Sequence, residues 1–95
     1  MTHDLNPDPG SAQIRLSPDA ALVLFELLSR WSSDEGASTP DEACFESPAE
    51  IGVLHGLLAE LETQLSAPFQ ADYPLLLKEA RDRLRDTWSG RTLRD

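Results

Sequence analysis

Apolar residues recur with helical spacing in three stretches of the chain, and each stretch is bounded by residues that start or stop helices. Ser17-Pro18 and Ser47-Pro48 each combine a favoured N-cap residue with a proline at the first helical position. Pro68 disfavours helical geometry at the residue before it, so the second helix ends nearby. The pattern predicts an all-α fold, a small antiparallel three-helix bundle with helices over about residues 18–32, 48–66 and 72–88.

The first predicted helix is apolar on nearly every side. Leu28 and Trp31 share one face, whereas Leu22, Val23 and Phe25 spread onto others. A helix of this kind buries its surface only if neighbours pack on more than one side. The third predicted helix has a single apolar face. It comprises Tyr73, Leu76, Leu77, Ala80, Leu84 and Trp88.

The second predicted helix has two faces of different character. One is a heptad-like seam that packs helix against helix, formed by Ile51, Leu54, Leu58, Leu61 and Leu65. At 100° per residue, the opposite side carries only small residues. This small-residue face consists of Gly52, Gly56, Ala59 and Thr63. Each glycine inside a helix costs about 1 kcal/mol relative to alanine, so the pair needs an explanation.

Three interpretations of the small-residue face remain open. Another part of the same chain packs on it, or another molecule does, or the glycines are exposed and tolerated. The second molecule is either a second copy, which gives a homodimer, or a different protein. Small residues allow close approach of another backbone, an effect best known from Gly-x-x-x-Gly motifs in membranes.

Charge is segregated along the sequence. The net charge is −9, and the stretch between Trp31 and Leu77 holds nine acids and no Lys or Arg. The rest of the chain holds eight acids and all eight bases, so it is neutral. This acidic segment disfavours direct binding to nucleic acid, which depends on basic residues, and favours a basic partner protein.

The loop between the first two helices is the most function-like feature. At residues 33–46 it is long for a compact domain, and two aromatic residues flank its acids. Acids steer a basic partner, and aromatic side chains supply buried anchor area. The predicted partner-binding residues are Trp31, Asp34, Glu35, Asp41, Glu42, Phe45, Glu46 and Glu50. The alternative is a solvated loop whose charge keeps the chain soluble.

Candidate chemistry is sparse. Cys44 and His55 match no zinc spacing, and a thiol within an acidic segment is poorly activated, so Cys44 is expected to pack as a small apolar residue. No phosphate-binding glycine loop occurs. We therefore expect no catalytic residues, no metal and no cofactor, and we expect a non-enzymatic protein.

Residues 1–13 and 89–95 are predicted to be a flexible leader and a tail around one domain over residues 14–88. The leader has no signal-peptide pattern and no apolar run could span a bilayer, so we expect a cytoplasmic protein with no membrane partner. A single cysteine suits that compartment.

The helix order, with the Pro-Phe-x-x-Asp-Tyr turn that begins at Pro68, resembles a group of short, uncharacterised, all-helical bacterial proteins over about residues 16–86. That resemblance implies a bacterial, all-helical protein and assigns no site residues. By type, small acidic chains without catalytic motifs resemble immunity proteins, antitoxins and phage inhibitors. The functional hypothesis is a protein that neutralises or inhibits a basic partner, such as a toxin or a nucleic-acid-binding enzyme. The alternative is a self-associating structural or adaptor module.

Overall fold

The computed structural model describes residues 9–33 and 38–94, and in these ranges the chain forms helices and no strand. The predicted all-α, three-helix fold is confirmed. The three α-helices are α1 (Pro18–Trp31), α2 (Pro48–Gln64) and α3 (Tyr73–Arg85). Two single turns of 3₁₀-helix, Glu42–Cys44 and Ala67–Phe69, lie in the connections.

The predicted starts of α1 and α2 are confirmed, because local hydrogen bonds fix them. The Ala20 N–H donates to Ser17 Oγ at 3.1 Å, and the Ala49 N–H donates to Ser47 Oγ at 3.0 Å. The Glu50 carboxylate also reaches back and accepts the Glu46 N–H at 2.9 Å. The two serine contacts satisfy backbone donors that the first turn of a helix leaves without a partner, and the Glu50 contact holds the residue before the cap against α2.

The helix ends were predicted less well. α3 stops at Arg85, so Trp88 lies outside it and is 64% exposed. The prediction that Trp88 belongs to the apolar face of the third helix is therefore wrong. Asp86 and Thr87 are poor helix formers, and no described residue after Ala80 is buried, so further helical turns would gain little stability.

α1 is the central element. Ala21, Phe25 and Leu28 of α1 are buried with Leu61 of α2. On its other side, Leu22 is buried with Leu77 and Ala80 of α3. No contact of comparable extent joins α2 to α3. The prediction that the first helix needs neighbours on more than one side is confirmed.

Ion pairs reinforce the contact between α1 and α3. The Arg83 guanidinium donates to both carboxylate oxygens of Asp19, at 2.7 and 2.8 Å, and Arg81 donates to Glu26 at 2.6 Å. The bidentate Arg83 contact lowers the pKa of Asp19, chiefly through its hydrogen bonds, and Asp19 in turn raises the pKa of Arg83. Arg83 of α3 and Asp19 of α1 thus join the two helices.

The small-residue face of α2 has no cover in the described part of the chain. A Cβ added at Gly52 or Gly56 would meet no atom within 4 Å, and Ala59 and Thr63 are exposed. The interpretation that another described segment of this chain packs on this face is therefore wrong. The reason is that α1, and not α2, lies between the other two helices.

None of the described helices is both long and apolar enough to cross a bilayer.

Candidate functional site

A pocket of about 140 Å³ lies between the end of α1, the loop that follows it and the first half of α2. Most of its lining is apolar: Leu28, Trp31, Pro40, Phe45, Ile51, Leu54 and Leu58. Three residues add polar groups: Ser32, Thr39 and His55. We call this the aromatic pocket, since Trp31 and Phe45 are its largest side chains.

Local backbone structure builds the pocket. Ser32 ends α1, with its N–H donating to the Leu28 carbonyl at 3.1 Å and its hydroxyl donating to the same oxygen at 2.9 Å. Farther along, the 3₁₀ turn ends where the Phe45 N–H donates to the Glu42 carbonyl at 3.1 Å. The backbone at Phe45 is extended, and its side chain is half-buried against the pocket.

The structure brings the two predicted aromatic anchors together. Trp31 and Phe45 are far apart in sequence, yet both line the aromatic pocket. Leucines from α1 and α2 form its floor, so the anchors rest on the core cluster and not on the loop alone. This placement agrees with the predicted roles of Trp31 and Phe45, but nothing in it identifies a partner.

Exposed carboxylates lie beside or near pocket-lining residues in the sequence, and we call them the border of the pocket. Asp41 follows the lining residue Pro40, and Glu46 follows the lining residue Phe45. Asp41, Glu42, Glu46 and Glu50 are all exposed. Glu50 differs from the others because one of its oxygens accepts the Glu46 N–H and so helps to start α2. The remaining predicted acids, Asp34 and Glu35, lie outside the described residues.

Sequence reasoning missed part of the pocket lining. Ile51 and Leu54 were assigned to the packing seam of α2, but both line the pocket, and so does His55. A signal was available in the sequence. Ile51 is the first residue of the seam and lies near the start of α2, where an antiparallel neighbour covers the helix least. Its 39% exposure follows from that position.

Cys44 behaves differently from its predicted role. The side chain was expected to pack as a small apolar residue, but it is an exposed free thiol and is absent from the pocket lining. The 3₁₀ turn explains this, because it directs the next residue, Phe45, toward the pocket in place of Cys44.

The shifted pKa values belong to groups on the α1–α3 side of the molecule. Partial burial raises the pKa of Tyr73, and the nearby Glu26 carboxylate raises it further. The Lys78 ammonium donates to Asp82 at 2.9 Å and, through that hydrogen bond, lowers the pKa of the Asp82 carboxyl. The groups with shifted pKa values form ion pairs of α3 or lie beside them, and none of these groups lines the aromatic pocket.

Among the residues that the structure describes, no three His, Cys, Asp or Glu side chains are grouped so as to hold a metal ion. Together, the fold and the pocket define a small all-α protein with an acid-bordered apolar pocket on its surface. No protein-family model, curated protein or solved structure matches this chain. The resemblance to short bacterial proteins therefore stays a prediction.

Proposed function

We propose that this chain is a non-enzymatic binding protein that docks on a basic partner protein and neutralises or inhibits it. The observation that carries the proposal is the aromatic pocket, in which Trp31 and Phe45 meet inside a border of exposed carboxylates. An apolar centre surrounded by polar residues is the usual arrangement of a protein interface.

The charge distribution selects the kind of partner. All of the net charge of −9 resides in the segment between Trp31 and Leu77, which contributes four of the pocket's bordering residues, Asp41, Glu42, Glu46 and Glu50. Opposite charges raise the rate of encounter, and like charges disfavour acidic partners. At about 0.1 M salt the screening length is about 10 Å, so carboxylates within this distance of one another act on a partner together.

The apolar lining of the pocket supplies binding energy that the exposed charges alone do not supply. Exposed ion pairs contribute about 0–1 kcal/mol each, whereas burial of one large apolar side chain contributes about 1.5–3 kcal/mol. Interfaces concentrate their binding energy in such central anchors, with Trp prominent among them. The charges therefore guide the partner, and the aromatic pocket holds it.

Inhibition follows if the basic surface of the partner is its working surface. Proteins that act on nucleic acid bind phosphates through Lys and Arg. A row of carboxylates presents the same sign of charge as a phosphate backbone and competes for the same side chains. This protein would then block a nucleic-acid-binding or catalytic cleft by covering it, without chemistry of its own.

The proposal is tested by capture with matched charge variants. The site variant combines Asp41→Asn, Glu42→Gln and Glu46→Gln, and it leaves Glu50 intact because that side chain caps α2. The control variant combines Asp86→Asn, Glu60→Gln and Glu79→Gln, which changes the net charge equally at exposed positions remote from the pocket. The proteins retained by each immobilised chain are compared at salt concentrations from about 0.05 to 0.5 M. Over this range the screening length shortens about threefold.

We expect the original chain and the control variant to retain a basic protein that the site variant loses, with retention falling as salt rises. Adding the chain to that purified protein should lower its activity. Equal loss by both variants would mean that overall charge is responsible and not this site. Retention of an acidic or salt-insensitive partner would contradict the proposal.

Self-association is the second candidate function. The outward side of α2 leaves Val53 69% exposed and Leu57 37% exposed, and the neighbouring segment before α1 leaves Ile14 82% exposed. Sedimentation of the purified chain discriminates between the candidates, because a monomer at every concentration disfavours the assembly role.

A further inference from the structure

The size of the aromatic pocket limits what it can hold. Its volume is about 140 Å³, and an apolar protein cavity of roughly 150 Å³ holds one benzene molecule. Sites for cofactors and drug-sized ligands are larger, at roughly 300–1,000 Å³. The pocket therefore has room for one phenyl ring or one leucine-sized side chain, and not for a whole metabolite.

The lining favours an uncharged occupant. Seven of the ten lining residues are apolar, and the polar ones contribute hydroxyl groups of Ser32 and Thr39 and the imidazole of His55. A charged group moved into such a lining would lose its hydration without a partner of opposite charge. An aromatic or aliphatic side chain has no such cost and would contact Trp31 and Phe45 directly.

The border of the pocket specifies the neighbours of that side chain. Exposed carboxylates occur at Asp41 and Glu42 on one side of Phe45 in sequence and at Glu46 on the other. No three His, Cys, Asp or Glu side chains of the described residues are grouped so as to hold one metal ion, so a single cation would not meet all of these groups. A polypeptide with several Lys or Arg residues around the inserted side chain could meet them together.

We propose that the aromatic pocket is a single-residue socket, which takes one Phe- or Leu-sized side chain from a polypeptide segment whose adjacent residues are Lys or Arg. The inference rests on the proposed function and deepens it by naming the recognition element of the partner. The aromatic pocket and its bordering carboxylates then contact the same short segment of the partner. The apolar residue confers affinity, and its basic neighbours confer selectivity against acidic segments.

The test uses three blocked pentapeptides: Lys-Lys-Phe-Lys-Lys, Lys-Lys-Ala-Lys-Lys and Glu-Glu-Phe-Glu-Glu. Trp88→Phe in the full chain leaves Trp31 as the only tryptophan, and Trp88 is 64% exposed and absent from the pocket lining. Fluorescence of Trp31 and its indole N–H resonance then report occupation of the pocket. We expect the basic Phe peptide to bind about tenfold to hundredfold more tightly than the basic Ala peptide, and the acidic peptide to give no response.

A pair of loop variants provides the matched control. Thr39 is exposed and lines the pocket, whereas the adjacent exposed Ser38 does not. Thr39→Phe should fill the pocket and abolish the preference for the Phe peptide, whereas Ser38→Phe should keep it. Both substitutions are in the loop, and helical circular dichroism checks that each variant folds.

The outcomes separate this inference from the proposed function. Equal affinity for the two basic peptides would overturn the socket and leave a purely charge-based docking surface. Equal affinity for the basic and acidic Phe peptides would overturn the requirement for Lys or Arg. No response to any peptide at millimolar concentration, together with retention of a basic protein by the immobilised chain, would overturn the socket alone.

Discussion

Gly52 and Gly56 are in the interior of α2, and their surroundings decide what they do for stability. An added Cβ at either position meets nothing within 4 Å, so no described contact requires a glycine there. Glycine is less favourable than alanine in a helix because it loses more backbone freedom on folding. The two residues therefore weaken α2 unless a second molecule covers them.

Gly56→Ala should raise the free energy of unfolding by about 1 kcal/mol in a dilute, monomeric sample. The cause is the lower backbone entropy of the unfolded alanine chain, with no new contact needed. Urea unfolding followed by circular dichroism measures the change. Ala59→Gly, at an exposed position on the same face, should lower stability by a similar amount. A loss of stability in Gly56→Ala would contradict the open surroundings and favour assembly through this face.

Residues whose role depends on their nearest neighbours in sequence were the most predictable. Ser17 and Ser47 cap their helices as expected, because a cap needs only the next three residues. Cys44 and Trp88 were misplaced because their environments depend on a 3₁₀ turn and on where α3 ends. The aromatic anchors were identifiable as aromatic residues beside an acidic loop, but their shared pocket required the packing of α1 on α2.

At the scale of elements, sequence periodicity gave the helices but not their order in the bundle. The apolar excess of α1 correctly indicated two neighbours, and the structure shows that α2 and α3 are those neighbours. One of the three interpretations of the small-residue face had another segment of the chain packed on α2, and no described segment packs there. Periodicity locates the faces of a helix, whereas the choice of partner depends on how completely each pair of faces buries apolar area.

The link between α1 and α3 should make stability depend on pH. Arg83 holds the pKa of Asp19 below its ordinary value of 3.8, so the folded state favours the ionised carboxyl. The contribution of the pair is therefore present above the ordinary pKa and is lost as the pH falls through the lowered value. We expect Arg83→Gln to be less stable than the original chain at neutral pH, with the difference shrinking in strong acid. Urea unfolding over a series of pH values measures it.

Two variants check the assignment to this ion pair. Asp19→Asn removes the other partner of the ion pair. Its difference in unfolding free energy from the original chain should likewise shrink in acid. Asp86→Asn removes a carboxylate just after α3, whereas Arg83 pairs with Asp19, so the curve of this variant should run parallel to that of the original chain near neutral pH. A constant difference between Arg83→Gln and the original chain from neutral pH to strong acid would show that the ion pair does not stabilise the fold.

At the scale of the whole molecule, small size and uneven packing belong together. A chain of 95 residues buries a modest share of its surface, and this one divides its core into two clusters on opposite sides of α1. The sequence showed that the core would be small and that charge would be segregated. The division of the core was not predictable, because it follows from which helix occupies the centre.

The divided core predicts that α2 and α3 loosen independently of one another. Leu61 of α2 and Leu77 of α3 are 7% and 8% exposed, so Leu61→Ala and Leu77→Ala are matched truncations on opposite sides of α1. Such cavities cost about 2–5 kcal/mol, and Leu→Met at the same positions provides a milder pair if alanine unfolds the chain. Because each cluster pairs α1 with one other helix, native-state hydrogen exchange should speed up mainly in α2 for the first variant and mainly in α3 for the second. The aromatic pocket, built on α1 and α2, should lose its ligand response only in the first. Equal acceleration of all three helices in both variants would instead show one cooperative core, in which no part of the pocket can open without the rest.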